Sequence, residues 1–248
     1  LLVGIGLGGT AISIPMSIVG KHFPLSNRTI AMSLVTAVGS FGYFISPMYT
    51  SYSLINNGWI HTLYIFIIFL VIGLVIAFFV RSPSLSESIE KPSDQNTMSA
   101  LKEAFKTKSY VLLTAGFFVC GFHITLVGTH VPTYVIDRGL ETWTAAAILS
   151  LIGLFNIFGS LFSGYLSTKM KKKVILAAIY ALRGISICLF IFLPASNINA
   201  FIFGASFGFL WLSTVPATSG IVAQMFGTKH LGMLYGIVFL SHQIGSFL

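Results

Sequence analysis

Long apolar runs alternate with short polar breaks along nearly the whole chain, and one longer polar stretch, Arg81 to Lys108, divides them. The runs are too long for strands and lack the period-two alternation of a membrane barrel, so they predict helices. Taking about 20 apolar residues as one crossing of a bilayer core, the pattern predicts eight transmembrane helices, over 1–19, 30–55, 60–80, 109–136, 142–166, 174–194, 198–223 and 231 to the end. The dividing stretch, RSPSLSESIEKPSDQNTMSALKEAFKTK, is too charged for hydrocarbon and must sit in water. In its second half Met98, Leu101 and Phe105 fall at i, i+3 and i+7, with Lys102, Glu103 and Lys106 off that face. The expectation is a tether followed by a short amphipathic helix on the membrane surface; an irregular loop throughout is the alternative, because so short a helix is marginal in water. Three units follow: a group of three helices in 1–80, a linker in 81–108, and a group of five helices in 109–248.

Composition narrows the class. Charged residues make up 8% of the 248 residues and apolar ones 55%, against about 25% and 45–50% in soluble domains. A soluble fold would have too little polar surface to cover itself, so the expectation is an all-α integral membrane protein. Cys120 and Cys188 both lie in apolar runs and form neither a disulfide framework nor a metal spacing. The chain opens at Leu1 and stops at Leu248 inside apolar runs, as a piece of a longer protein would.

Charge changes the picture further. A net charge of +8 suggests nucleic acid in a soluble protein, but here the basic residues sort by loop. With eight crossings, one side receives Lys21, Arg28, Arg81, Lys91, Lys102, Lys106, Lys108, Lys169, Lys171, Lys172, Lys173 and Lys229, and the other receives Arg138. By the positive-inside rule the first side is cytoplasmic, the linker 81–108 included. No nucleic-acid partner is expected, and the bilayer of a plasma or inner membrane is.

The spans carry their own chemistry. Gly4, Gly6, Gly8 and Gly9 in the first and Gly39, Gly42 and Pro47 in the second suit close contacts and kinks. On the fourth, Gly116, Cys120, His123, Val127 and His130 share a helical face, with His123 near mid-membrane. Two such histidines can line a cavity that exchanges protons or holds an anion; equally, they can be neutral and hydrogen-bonded to neighbouring helices. Asn156, mid-way along the fifth span, can bind a solute or join two helices, and the nearby Gly159, Ser160, Ser163 and Gly164 form a helix-contact face. Arg183 lies ~15 Å into the sixth span, where insertion costs at least ~2.5–3.5 kcal/mol. Its partner is expected to be an anionic ligand, backbone carbonyls, a polar neighbour or a carboxylate elsewhere, since the spans contain no Asp or Glu. The seventh span holds Trp211, Ser213, Thr214, Thr218 and Ser219 beside a kink at Pro216, and the eighth holds Ser241, His242 and Gln243.

Sliding the chain so that Pro15 meets Pro216 also pairs Arg28 with Lys229, Met32 with Met233 and Ser40 with Ser241, the offset of two parallel six-helix repeats. Gly164 to Lys173, GYLSTKMKKK, resembles the conserved cytoplasmic loop G-x-L-x-D-R-x-G-R-R of the major facilitator superfamily of secondary transporters, in its second-half copy. Thr168 stands where the pattern carries Asp, while Lys169 and Lys171 to Lys173 keep the basic part. Stretches from Gly116, Gly153 and Leu240 resemble the microbial branch near monocarboxylate transporters and oxalate–formate exchangers.

The resemblance implies a two-bundle fold with three helices before Leu1 and one after Leu248, and a central cavity lined by every visible span except the third and sixth. It supports His123, His130, Asn156, His242 and Gln243 as solute-binding candidates and sets Arg183 on a peripheral helix. Gly164, Thr168, Lys169 and Lys172 become the gating loop. The implied function is secondary active transport of a small organic solute, a monocarboxylate or related anion with a coupled proton, by a monomer; a solute-binding receptor or scaffold on the same fold is the alternative. With no HExxH, no paired intramembrane aspartates and no nucleophile elbow, neither an enzyme nor a metal or other cofactor is expected.

Overall fold

The computed structural model describes residues 12–79 and 96–248, and the side chain of Leu25 is left aside. The glycine run at 4–9 and the tether expected at 81–95 lie outside the described residues. Among the described residues the chain is helical, with no strand. The helices are α1 (Ser13–His22), α2 (Leu25–Phe79), α3 (Thr97–Lys106), α4 (Lys108–Asp137), α5 (Thr142–Lys169), α6 (Lys172–Phe192), α7 (Asn197–Leu210), α8 (Thr214–Phe226) and α9 (Leu231–Phe247). Five stretches of them, Ser26–Phe79, Lys108–Asp137, Thr142–Lys169, Lys172–Phe192 and Asn197–Phe226, are long and apolar enough to cross a membrane; α9 is a shorter apolar helix.

Straight, α2 would run ~80 Å, far beyond a hydrocarbon core of about 30 Å. It does not run straight. Gly58 takes φ 78° and ψ 172°, a backbone that favours glycine. Across it the hydroxyls of Ser53 and Thr62 meet at 2.8 Å, and Thr62 Oγ1 donates to the Gly58 carbonyl at 2.9 Å. Residues nine apart in a continuous helix stand ~13 Å apart, so the chain doubles back here into arms 25–57 and 59–79. This turn falls in the gap between the spans expected at 30–55 and 60–80.

The short linker helix forms as α3, with Met98 and Phe105 turned away from the bundle and a second face of small residues turned to it. Ala100 and Ala104 are buried, with Leu101 packed partly beside them, whereas Met98 and Phe105 are exposed. Alanine lets the helix backbone sit close to the bundle, a distance that Met and Phe on that face would prevent. Phe105 instead sets its ring edge-on to Tyr110, 6.1 Å away.

At the centre stands α5, flanked by the first arm of α2 on one side and α7 on another. Its small residues make this possible. A side chain at Gly153 would run into the backbone of Tyr43 and Phe44, and one at Gly159 into the Phe209 carbonyl. Gly164 faces Ser33 in the same way. The helix-contact face read from Gly159, Ser160, Ser163 and Gly164 is therefore a packing face, and Ser160 and Ser163 are buried in it. On the other flank α4 and α9 touch at Gly121, whose backbone meets the His242 carbonyl, and at Gly245, which meets that of Phe118.

Overpacking a tight contact costs about 1–3 kcal/mol. Gly153→Leu should therefore lower the unfolding midpoint of the detergent-purified protein. Gly184→Leu, where nothing stands within 4 Å, should leave the midpoint unchanged in the same thermal-shift measurement.

Candidate functional site

The crossing from Asn197 to Phe226 is interrupted between α7 and α8, at Trp211, Leu212 and Ser213. Proline supplies the reason, a few residues downstream of the interruption itself. Pro216 has no N–H to return to Leu212, and the Val215 N–H goes to the Leu212 carbonyl at 2.9 Å rather than to Trp211. Carbonyls at the break thus lose their helical partners inside apolar surroundings, where an unsatisfied polar group is costly. Arg183 of α6 takes them: Nε and Nη2 donate to the Leu210 carbonyl at 3.0 and 2.6 Å, and Nη2 also donates to that of Trp211.

Two further side chains close the break from α5. Asn156 Oδ1 accepts the Leu212 N–H at 2.8 Å, and Ser163 Oγ donates to the Ser213 carbonyl at 2.6 Å. The other end of Asn156, Nδ2, donates to Ser40 Oγ on α2 at 2.6 Å. Asn156 therefore joins α2 to the broken helix and has both ends of its amide engaged. Beside it Trp211 packs its ring against Tyr43 of α2, with centroids 5.8 Å apart.

Arg183 is fully buried, and among the described residues its hydrogen bonds go to backbone carbonyls and a thiol. Besides the two carbonyls, Nη1 donates to Cys120 Sγ at 3.1 Å, and the guanidinium lies 5.7 Å from the Tyr180 ring centre. Cys120 Sγ in turn stands 3.4 Å from Thr214 Oγ1 at the start of α8. Of the partners open to this arginine in the sequence, the structure supplies backbone carbonyls, with a thiol as the polar neighbour. Such dipoles hold the guanidinium in place away from lipid.

His123 follows Cys120 by one turn of α4, within electrostatic reach of Arg183. It is half-buried, and its Nδ1 is enclosed without a hydrogen-bond partner. His242 of α9 is buried between Phe117 and Phe239, stacked on the latter at 5.2 Å, and its Nδ1 lies 3.3 Å from Gln243 Oε1. Its ring also interacts with Cys120. The structure thus gathers His123, His242 and Arg183 around Cys120. His130 is exposed about ten residues farther along α4, or ~15 Å, and the Gln243 side chain is exposed as well. Sequence reasoning passed over Cys120 as a site residue, because a lone apolar-run cysteine carries no spacing signal; Trp211 and Thr214 were visible as a polar stripe near Pro216.

At the basic end, Thr168 spends its hydroxyl on the Tyr165 carbonyl of its own helix, and Lys169 is exposed. Lys172 is half-buried and runs past Gly220 toward Thr29. It shares a pocket of about 300 Å³ with Arg28, Thr29, Ser26 and Gln224.

A broken, cross-braced membrane helix and a buried cationic cluster between packed helices define the chain as a membrane protein built to hold polar groups away from lipid. The chain belongs to the Major Facilitator Superfamily, whose family model matches residues 1–248. It is similar to the uncharacterized MFS-type transporter YcxA of Bacillus subtilis, 24% identical over 96% of this chain and 60% of the relative. The MFS transporter asaE of Aspergillus flavus is 23% identical over 96% of this chain and 53% of its own length. The cis,cis-muconate transport protein of Acinetobacter baylyi is 24% identical, over 98% of this chain and 60% of its own. The chain therefore spans between half and two thirds of the length of these relatives.

Replacing Arg183 by Met should strand the Leu210 and Trp211 carbonyls, each at a cost of about 1–3 kcal/mol. Arg183→Lys should recover only part of it, because an ammonium lacks the planar fork that serves two carbonyls and a thiol at once. Apparent unfolding midpoints in detergent measure both.

Proposed function

We propose that the chain is the larger part of a secondary active transporter for a small organic anion of the monocarboxylate or related carboxylate class. On this reading eight crossings form two bundles, with three helices in 1–80 and five in 109–248, joined by a cytoplasmic linker at 81–108 in a plasma or inner membrane. The doubling of α2 at Gly58 supports the three-helix part, and the single-sided distribution of lysine and arginine supports the orientation. The protein works as a monomer whose bundles rock about a site near mid-membrane.

The observation that carries the proposal is an enclosed set of cationic and protonatable groups, Arg183, His123 and His242, that meets no carboxylate among the described residues. His123 contacts the solute, since its imidazole is half-open and its Nδ1 has no partner in the protein. Arg183 supplies attraction at a distance while its donors stay on the broken helix. His242 carries the coupled proton or the second contact, with His130 and Gln243 nearer the outer entrance. Asn156 ties the solute site to the opposite bundle through Ser40.

Rocking requires contacts that can part. Ser219 Oγ donates to Met32 Sδ at 3.2 Å, and Gly20 and Gly232 press against Leu231 and Ser17 across the basic end. These weak contacts close that end in the conformation described, and Gly164, Thr168, Lys169 and Lys172 flank it as the gating loop. The relative named for cis,cis-muconate transport makes carboxylates the first solutes to try.

Counterflow in proteoliposomes against a carboxylate panel, including cis,cis-muconate, tests the reading. Losing a charge-assisted hydrogen bond costs about 1.5–3 kcal/mol, so His123→Ala and His242→Ala should each reduce uptake of the best solute by about tenfold or more. Full uptake in both variants would remove the histidines from the site, and absence of counterflow with every carboxylate would reject the solute class.

A further inference from the structure

Cys120 stands at the centre of the cluster, and the proposed function leaves it without a task. Its sulfur is fully buried; Arg183 Nη1 donates to it at 3.1 Å, and Thr214 Oγ1 stands 3.4 Å away. The side chain of Tyr180 interacts with it from α6 and that of Tyr235 from α9. Tyr235 is fully buried too, and its hydroxyl is enclosed with no hydrogen-bond partner among the described residues. Arginine offers donors only, and the three hydroxyls can all donate. A protonated thiol is a weak acceptor for so many donors, whereas a thiolate accepts charge-assisted hydrogen bonds.

Arg183, Cys120, Thr214 and Tyr235 are buried by the described helices alone, so these surroundings do not depend on an open face. The charged and titratable groups about the sulfur are Arg183 and Tyr180 from α6, His242 and Tyr235 from α9, and His123 one turn along α4 itself. From α8 comes the Thr214 hydroxyl. A guanidinium beside a sulfur favours the thiolate, and apolar surroundings favour the thiol. With the two tendencies opposed, both forms are open to this group. His242, whose ring interacts with Cys120, gives the proton a place to go.

We infer that Cys120 is a proton-binding group paired with Arg183, and that the two act as a charge switch beside the solute site. When the thiol ionises, the S–H bond breaks and its electron pair stays on sulfur. The proton passes to the His242 imidazole and on to solution, and nothing is oxidised or reduced. The thiolate then accepts from Arg183, Thr214 and the otherwise unpartnered Tyr235 hydroxyl, and the neutral pair no longer draws an anion. With the proton back on sulfur, the guanidinium charge is felt again at His123, and an anion is held there. Proton and anion therefore bind together and leave together. This last step rests on the proposed carriage of an anionic solute; the pairing of thiol and guanidinium does not.

Infrared spectra of the intact detergent-purified protein, with those of Cys120→Ser subtracted, isolate the S–H stretch of Cys120 and test the inference directly. The band should disappear reversibly as pH rises over about pH 5–9, a range that brackets the ordinary thiol value of about 8.5. Tyr235→Phe removes one donor to the thiolate and should move that loss upward by about one pH unit; its packing is conserved, so it folds where an Arg183 variant does not. At the pH of half-loss, adding a carboxylate that shows counterflow should restore the band. In proteoliposomes Cys120→Ser, which cannot ionise, should abolish the proton entry that accompanies carboxylate uptake, read with an internal pH dye. A band that is constant or absent at every pH overturns the switch, and one that titrates without moving in Tyr235→Phe overturns the donor set. Proton entry that persists in Cys120→Ser removes this residue from the coupling. A band that titrates and shifts as expected, with no carboxylate taken up, supports the pairing of thiol and guanidinium and rejects the solute class instead.

Discussion

A helix that breaks inside a membrane exposes backbone groups that lipid cannot satisfy, and this constraint explains the placement of the costliest residue in the chain. Burying Arg183 in an apolar bundle is unfavourable by itself, and so is exposing the carbonyls of Leu210 and Trp211. Put together, the two costs largely cancel, because the guanidinium needs several acceptors in one place and a broken helix offers them. Asn156 and Ser163 complete the arrangement from α5, on the Leu212 N–H and the Ser213 carbonyl. The break is thus a fixed feature braced from two helices, and the polar residues that brace it set the positions of Cys120, Trp211 and Thr214.

That bracing depends on how closely the helices approach. Asn156 reaches the break because α5 lies against α7 at Gly159, with almost no side chain between the backbones. The same helix lies against α2 at Gly153 and Gly164, which brings Ser40 within 2.6 Å of Asn156. In lipid the hydrophobic effect gives helices little reason to associate, so close packing and interhelical hydrogen bonds must do so. Here the small residues supply the first, and by supplying it they make the second geometrically available.

Much of this was legible in the sequence, for reasons of length and charge. Helical spans follow from apolar runs that outlast a bilayer, and the position of the turn at Gly58 from the gap between the spans expected over 30–55 and 60–80. Small residues spaced by four on α5 announced a contact face. Pro216 announced a disturbed helix, although the break sits upstream at Trp211 to Ser213, because proline withholds its hydrogen bond from the preceding turn rather than from its own position. The partners of Arg183 were narrowed to four kinds and no further: a backbone carbonyl is present at every residue, so no sequence pattern marks the one that is free. The alanine face by which α3 meets the bundle went unmarked for a related reason: periodicity finds the largest apolar residues, and a helix that packs closely buries its smallest.

Among the described residues no carboxylate stands beside Arg183, and this shapes what the proposed site can do. The guanidinium, oriented by carbonyl dipoles, stands within electrostatic reach of His123. An anionic solute entering there offsets that charge, and the same anion favours a proton on the neighbouring imidazole, because opposite charges at close range in a weakly polarisable interior attract strongly. Linkage makes this mutual: whatever the anion contributes to holding the proton, the proton contributes equally to holding the anion. On the proposed function, a cluster of this composition, an arginine held by backbone and histidines with no carboxylate beside them among the described residues, would couple the two species without a dedicated carboxylate relay. On the proposed function the broken helix has two effects at once, holding Arg183 in place inside the bundle and linking it, through Asn156 and Ser40, to the first arm of α2.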